Sequence, residues 1–163
     1  MMKKVLLILW LMAMPLPLWA TPTSDLNQIG QGSMRWLFWE LYQARFYSAD
    51  GQYRAGDFPQ ALALRYRRNI DKEDLLDATV TEWQRLGIDW KPQWRNQLDA
   101  LWPSVSNGDE LVVRVEATGV SRFYFNWQSL GEVSDPAFGP AFLAIWLSPN
   151  SRDPGLTRQL KGN

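Results

Sequence analysis

The amino-acid sequence predicts an α+β fold, in which helices pack on one face of an antiparallel β-sheet. Strand-like segments lie early and late in the chain, and helix-like segments lie between and after them. Because strands and helices do not alternate as β-α-β units, a parallel sheet is not expected. The three late strands are joined by short turn signals, Thr118-Gly119 and Asn126-Trp127, which are typical of antiparallel hairpins.

The segment MRWLFWELYQARFYSADG, residues 34–51, is predicted to form one long strand that ends in a turn at Ser48 to Gly51. Strand alternation places one set of side chains on the first face, namely Met34, Trp36, Phe38, Tyr42 and Phe46. The opposite set is also apolar, namely Leu37, Trp39 and Leu41. Because both faces are apolar around Glu40, we expect helices to cover one face and a second layer or a ligand to cover the other.

A second strand, ALALRYRRN, and two helices are predicted next. The strand carries Leu62, Leu64 and Tyr66 on one face. The clearest helix is residues 71–87, which Asp71 is suited to cap and Gly87 to end. Its apolar stripe consists of Leu76, Val80 and Trp83. A second helix is predicted from Pro92 to Trp102, with Trp94, Leu98 and Leu101 on one side.

The remaining elements are three strands and a helical C-terminal part in two pieces. Residues 110–117 alternate cleanly, with Leu111, Val113, Val115 and Ala117 pointing inward. The segments VSRFYF and QSLGEV continue the sheet. In the C-terminal part, Pro140 would lose a backbone hydrogen bond if a helix began at Asp135-Pro136. Either the first turn is distorted, or the regular helix begins with Gly139 as cap and Pro140 as first residue.

The absence of cysteine and histidine excludes several kinds of chemistry. Thiol nucleophiles, Ser-His catalysis and histidine-ligated metals are all unavailable to this chain. We therefore predict no metal and no cofactor, and no catalytic residue stands out. Eight tryptophans lie beyond residue 20, which predicts either a very aromatic core or an aromatic-lined cavity, with the core favoured.

The first 20 residues are predicted to be a cleaved signal peptide. Lys3 and Lys4 precede an apolar run that prolines interrupt, and Ala20 ends a cleavage-like site. Residues 21–163 would then form one domain, periplasmic or secreted, without a stable membrane anchor. Losing both lysines changes the charge balance from 17 basic and 17 acidic residues to 15 and 17. A chain with this slightly negative net charge is not expected to attract nucleic acid or an anionic membrane.

The aromatic strand also supplies the candidate ligand-binding residues. These are Trp36, Phe38, Glu40 and Tyr42, together with Tyr66 on the second strand. A carboxylate among aromatic residues indicates either a ligand contact or an ion pair with an arginine across the sheet, such as Arg65, Arg67 or Arg122. Trp127, in a turn where glycine or asparagine is usual, is expected to be exposed.

Four segments together resemble the chalcone isomerase-like family, in particular its exported bacterial branch. They are LFWELYQARFY, LRYRRNIDKEDL, RFYFNWQSLGEV and DPAFGPAFLAIWLSP, in order through nearly the whole chain after residue 20. The resemblance implies an open-faced β-sandwich with a large antiparallel sheet, helices layered on one face and a cleft between them. Plant members of the family either cyclise chalcones or bind fatty acids in that cleft.

The four working residues of the plant enzyme do not carry over to this chain. Its arginine, threonine, tyrosine and asparagine fall near Gly30 and on Tyr42, Asp71 and Ala78. Each lost oxyanion donor costs about 2.7–4 kcal/mol of transition-state stabilisation. We therefore predict a non-catalytic protein that binds a small amphiphilic or aromatic molecule in the cleft, and the sequence leaves any protein partner open. The alternatives are an isomerase or intramolecular lyase with a divergent active site, and a structural or protein-interaction module.

Overall fold

The computed structural model describes residues 20–163, and the predicted signal peptide, residues 1–20, therefore lies almost wholly outside the described residues. The described chain forms an antiparallel six-stranded sheet and four helices, which confirms the predicted α+β class. The strands are β1 (Asn27–Trp36), β2 (Trp39–Ser48), β3 (Gln60–Tyr66), β4 (Glu110–Val115), β5 (Ser121–Phe125) and β6 (Gln128–Val133).

The sheet is a simple meander, in which every strand pairs with its neighbour in sequence. Both predicted late turns are present, and Asn126 and Trp127 have φ of 46° and 69°. Two successive left-handed residues are what a two-residue hairpin turn requires, because that backbone twist matches the twist of the strands. Trp127 is exposed, as its turn position predicts.

Four helices form a layer on one face of the sheet. They are α1 (Lys72–Arg85), α2 (Pro92–Leu101), α3 (Phe138–Leu147) and α4 (Pro154–Leu160). Asp71 takes the N-cap position of α1 without a side-chain cap hydrogen bond, whereas Asp153 caps α4 by accepting from the Leu156 N–H. Pro140 is the third residue of α3, where its missing N–H would have had no partner within the helix. The first predicted alternative is the closer one, because the Asp135 side chain accepts from the Ala137 N–H and its carbonyl oxygen from the Phe138 N–H, which makes a distorted turn before the regular helix. No helix within residues 20–163 is long and apolar enough to cross a membrane.

The main core lies between the sheet and the helices and is strongly aromatic. Trp83 of α1 is fully buried, stacks on Trp90, and meets Trp94 and Phe138 edge to face. Its Nε1–H donates to the Ala141 carbonyl oxygen at 3.0 Å, which ties α1 to α3. The helical stripes predicted from sequence therefore supply the layer that covers the sheet.

The predicted long strand from Met34 is wrong, because the chain reverses inside it. Met34 to Trp36 end β1, Leu37 and Phe38 form the turn, and β2 starts at Trp39. Leu37 adopts φ 53°, a left-handed conformation that leucine rarely takes. The segment has the composition of a strand throughout, so the turn carries no glycine, asparagine or proline signal of its own.

Strand β1 itself was not predicted from the sequence. It contains Gly30 and Gly32, which are poor strand formers. A Cβ atom on Gly30 would lie 1.8 Å from the Gln159 backbone oxygen, so α4 can pack on this strand only where the side chain is missing. The glycines are therefore required by a tertiary contact that local sequence patterns do not report.

The face of the sheet opposite the helices carries small apolar residues and ion pairs instead of a second full layer. Ala61, Ala63 and Val112 are buried there, with Leu26 and Tyr124 packed around them. Some charged side chains of this face pair across strands, as in Arg45 with Glu110. The second apolar face expected around Glu40 does not form, because the hairpin turn interrupts it.

Candidate functional site

A cavity of about 790 Å³ lies between the sheet and the helix layer. Its floor is formed by side chains of β2, β3 and β4, and its roof by α1, α3 and the segment that joins α3 to α4. Ligand pockets in proteins typically measure about 300–1,000 Å³, so this volume suits a small organic molecule. The cavity is in the place where the predicted cleft was expected.

Most of the wall is apolar. The residues with apolar surface toward the cavity include Met34, Leu41, Leu64, Ile70, Leu75, Trp102, Leu111, Phe142, Ile145 and Trp146. Burying apolar ligand surface against such a wall is favourable by about 25 cal/mol per Å². The wall therefore favours a ligand with a substantial hydrocarbon or aromatic part.

Two tyrosines, the half-buried Tyr42 and the buried Tyr66, bring polar groups into this wall. The Tyr42 hydroxyl accepts a hydrogen bond of 2.8 Å from the Trp146 Nε1–H, which leaves its own O–H free to donate. Tyr66 lies beside Tyr42 in an edge-to-face contact, with ring centroids 5.9 Å apart. Within residues 20–163, its hydroxyl makes no hydrogen bond. Burial raises the pKa of both phenols well above the ordinary value of 10.0. Both therefore remain protonated donors at neutral pH.

Charged residues at the rim join α1 to the α3–α4 segment. The Glu82 carboxylate accepts from Arg85 at 2.9 Å and from the Arg152 Nε–H at 2.8 Å. Burial alone would raise the pKa of Glu82, but the bonds from Arg85 and Arg152 outweigh it and hold that pKa below the ordinary value of 4.5. The Arg152 contact therefore ties two parts of the roof, α1 and the α3–α4 segment, to each other.

Three of the five predicted ligand-binding residues line the cavity. Tyr42 and Tyr66 lie in its floor, and Trp36 lies at its edge. Phe38 does not reach it, because it occupies the β1–β2 turn with its side chain 96% exposed. The role of these residues in binding remains a prediction.

Glu40 lies outside the cavity because of a bulge in β2. Tyr42 pairs with Met34 and Glu40 with Arg35, so Leu41 is an extra residue between the two pairs. An extra residue reverses the alternation of a strand, and Glu40 therefore points away from Tyr42. Its carboxylate lies 3.5 Å from the Arg67 Nε and 3.8 Å from the Arg35 Nη2. These are ion pairs of the kind that the sequence offered as the alternative.

The roof residues were not predicted from the sequence. Leu75, Thr79 and Glu82 face the cavity from α1 at a helical spacing, next to the core stripe that was recognised. Ile145 and Trp146 contribute from α3. The sequence does carry one indication of the α1 residues. Leu75, Thr79 and Glu82 form a second stripe of mixed polarity, and a helix that only packed against the core would not need it.

The four positions aligned with the plant enzyme are dispersed. Tyr42 and Ala78 line the cavity, whereas Asp71 is exposed before α1 and Gly30 lies against α4. Arg35, five residues after Gly30, lies at the cavity edge. Among residues 20–163, no group of three or more acidic side chains is placed to hold a metal ion.

Comparisons with known proteins agree with this architecture. A family model described as chalcone isomerase-like matches residues 21–162. An uncharacterized protein of Haemophilus influenzae is 27% identical over 145 residues, which cover 88% of this chain and 71% of that protein. The crystal structure of a fatty-acid binding protein of Arabidopsis thaliana superposes with a TM-score of 0.70 at 9% identity, covering 88% of this chain and 90% of that one. At that identity the likeness concerns the fold.

Proposed function

The chain belongs to the chalcone isomerase-like family, and from this premise we propose that it is a non-catalytic protein that binds a small amphiphile in the cavity between its sheet and helices. The observation that carries the proposal is a cavity of about 790 Å³ whose mostly apolar wall contains two phenol donors. The structural neighbour from Arabidopsis is named for fatty-acid binding, which supports the same class of ligand.

The arrangement of the wall indicates how the ligand would lie. Its apolar part would contact the aliphatic and aromatic side chains of the roof, including Leu75 and Ile145. An oxygen acceptor at its polar end would receive hydrogen bonds from Tyr42 and Tyr66, whose hydroxyl protons have no acceptor within residues 20–163.

The same groups argue against catalysis. A general base must lose its proton near the working pH, and burial moves the pKa of Tyr42 and Tyr66 in the opposite direction. Glu82 is ionised but already accepts hydrogen bonds from two arginines. The floor thus offers donors that hold a ligand, and the carboxylates that line the cavity, Asp74, Glu82 and Asp153, all lie in its roof.

The first test is native mass spectrometry of the protein purified from its own cell, followed by titration of the emptied protein with dodecanoate and a flavanone. Trp36, Trp102 and Trp146 line the cavity, so binding should change the intrinsic fluorescence. We expect a retained amphiphile, or saturable binding of one probe with a Kd below about 100 μM. An empty protein that binds neither probe up to about 1 mM would contradict the proposal.

The double variant Tyr42→Phe/Tyr66→Phe should weaken binding of the same probe by about 10- to 100-fold. Each hydroxyl lost removes a hydrogen bond worth about 0.5–1.5 kcal/mol. The change at Tyr42 also leaves the Trp146 Nε1–H without its acceptor, so the Tm of the variant is measured alongside its affinity. Tyr124→Phe is the matched control, because Tyr124 packs on the opposite face of the sheet. Equal affinities of all three proteins would show that the phenols do not contact the ligand.

We also propose that the protein acts after export, with residues 1–20 removed. The support is the sequence pattern of a basic start, an apolar run and a small residue at position 20. Intact mass and N-terminal sequencing of the protein from an osmotic-shock fraction should give a chain that begins at Thr21. A cell-retained chain that still carries Lys3 and Lys4 would refute export.

A further inference from the structure

The large exposed apolar side chains are all at one end of the sheet. Among residues 20–163 they are Trp36 (58% exposed), Leu37 (78%), Phe38 (96%), Trp39 (57%) and Trp127 (60%). The first four are consecutive and form the tip of the β1–β2 hairpin, here called the WLFW tip. In this meander the β1–β2 turn and the β5–β6 turn, which holds Trp127, lie at the same end.

The backbone of these turns favours other residues. Leu37 adopts φ 53° and Trp127 φ 69°, a conformation in which glycine or asparagine is more stable. Large apolar residues at such positions, with their side chains in solvent, contribute nothing to folding. Backbone strain of this kind concentrates where a protein makes functional contacts.

Positive charge surrounds the WLFW tip. Arg35, Arg67 and Arg68 flank it, and the Arg68 guanidinium lies 4.3 Å from the centroid of the Trp39 ring. Two carboxylates lie among these arginines. Glu40 pairs with Arg67 and Arg35, whereas Asp109 accepts hydrogen bonds only from uncharged groups, the Ser106 N–H and the Asn126 side chain, and keeps its charge. The three arginines thus outnumber these two carboxylates by one, and Arg68 is the arginine of the three with which no carboxylate within residues 20–163 pairs.

The area of the exposed apolar patch favours a lipid surface over a second copy of the chain as its partner. At about 150–250 Å² for each large side chain, the exposed parts of the WLFW tip and Trp127 together sum to roughly 700 Å². A stable dimer needs about 800 Å² from each partner. A bilayer makes no such demand, because tryptophan rings rest at the interface while arginines remain at the headgroups.

We propose that the WLFW tip, assisted by Trp127, docks the protein reversibly on the surface of a bilayer that contains anionic lipids. Four side chains make a shallow contact that is neither a membrane span nor a permanent anchor. The proposal does not depend on the cavity holding a ligand. If it does, docking would place the cavity opening next to the lipid, because Arg35 and Trp36 belong both to this end and to the cavity edge.

The test is flotation of the protein with vesicles of equal parts phosphatidylcholine and phosphatidylglycerol. Residues 20–163 are used, since they contain the six strands and four helices that the structure describes and exclude the apolar N-terminal run. We expect the wild type to float, and Leu37→Asn/Phe38→Ser to bind at least 10-fold more weakly. Because asparagine suits the left-handed conformation at position 37, the Tm of this variant should be equal to or higher than that of the wild type.

Charge variants supply the second arm. Arg67→Gln/Arg68→Gln should bind the mixed vesicles several-fold more weakly and should remove the preference over pure phosphatidylcholine. Arg54→Gln/Arg122→Gln removes two exposed charges away from this end and should bind as the wild type does. A wild type that stays with the soluble fraction, a Leu37→Asn/Phe38→Ser variant that still floats fully, or a wild-type dimer that this variant dissociates would each overturn the proposal.

Discussion

Replacing Trp83 by alanine is expected to lower the free energy of unfolding by about 4 kcal/mol, a large part of the stability of a domain this size. The indole is fully buried and joins α1, α2 and α3 through three aromatic contacts, whose ring centroids lie 5.5–6.1 Å away. Its removal leaves a cavity among rigid neighbours and leaves the Ala141 carbonyl without its donor.

Urea unfolding followed by far-UV circular dichroism measures this change, and Trp127→Ala is the matched control. Trp127 is exposed in a hairpin turn, so its loss should alter the free energy of unfolding by no more than about 0.5 kcal/mol. Similar values for the two variants would mean that the aromatic cluster around Trp83 does not hold the helices together.

Much of the fold could be predicted because its helices and central strands are locally consistent. The capping position of Asp71, the stripe of Leu76 and Trp83, and the hairpin turn at Asn126-Trp127 each indicate an element that the structure contains. Helix α2 from Pro92 was predicted for the same reason. Such elements form where the residue pattern and the tertiary environment agree.

The errors lie where distant contacts decide the local structure. Strand β1 needs Gly30 because the α4 backbone passes close to it, and sequence reasoning treats glycine as a reason against a strand. The turn at Leu37 was missed because it holds a residue that disfavours turns. If the WLFW tip contacts a bilayer, its function requires an apolar residue at position 37. The glycine or asparagine that would have indicated the turn in the sequence is then absent for the same reason.

The positions of the candidate-site residues were likewise predicted correctly where the local pattern is regular and wrongly where distant contacts decide. Tyr42 and Tyr66 could be predicted as lining residues because the pairing of β2 with β3 is regular from Tyr42 to Ser48, so their side chains alternate between the two faces of the sheet there. Glu40 was placed on the wrong side of its strand because the bulge at Leu41 depends on pairing with β1, which the sequence did not reveal. The roof residues required knowing how α1 and α3 turn toward the sheet.

The variant Thr79→Trp is expected to weaken binding of dodecanoate, or of whichever probe the wild type takes up, by at least about 100-fold, which corresponds to about 2.7 kcal/mol. Thr79 lies on the roof of the cavity with its side chain buried and its Oγ1–H bonded to the Leu75 carbonyl oxygen at 2.8 Å. That bond is a local one that contributes little to helix stability. An indole at this position would occupy space that the ligand needs.

The control is Gln84→Trp, which adds the same side chain to the exposed face of the same helix and should leave binding unchanged. Because the cavity of about 790 Å³ has room for the new ring, Thr79→Trp should also keep its Tm within a few degrees of the wild type. A folded Thr79→Trp protein that binds as the wild type does would place the ligand elsewhere. A sharply lower Tm would show that the interior is already filled by the chain's own tryptophans, and would favour an interaction protein over a binding protein.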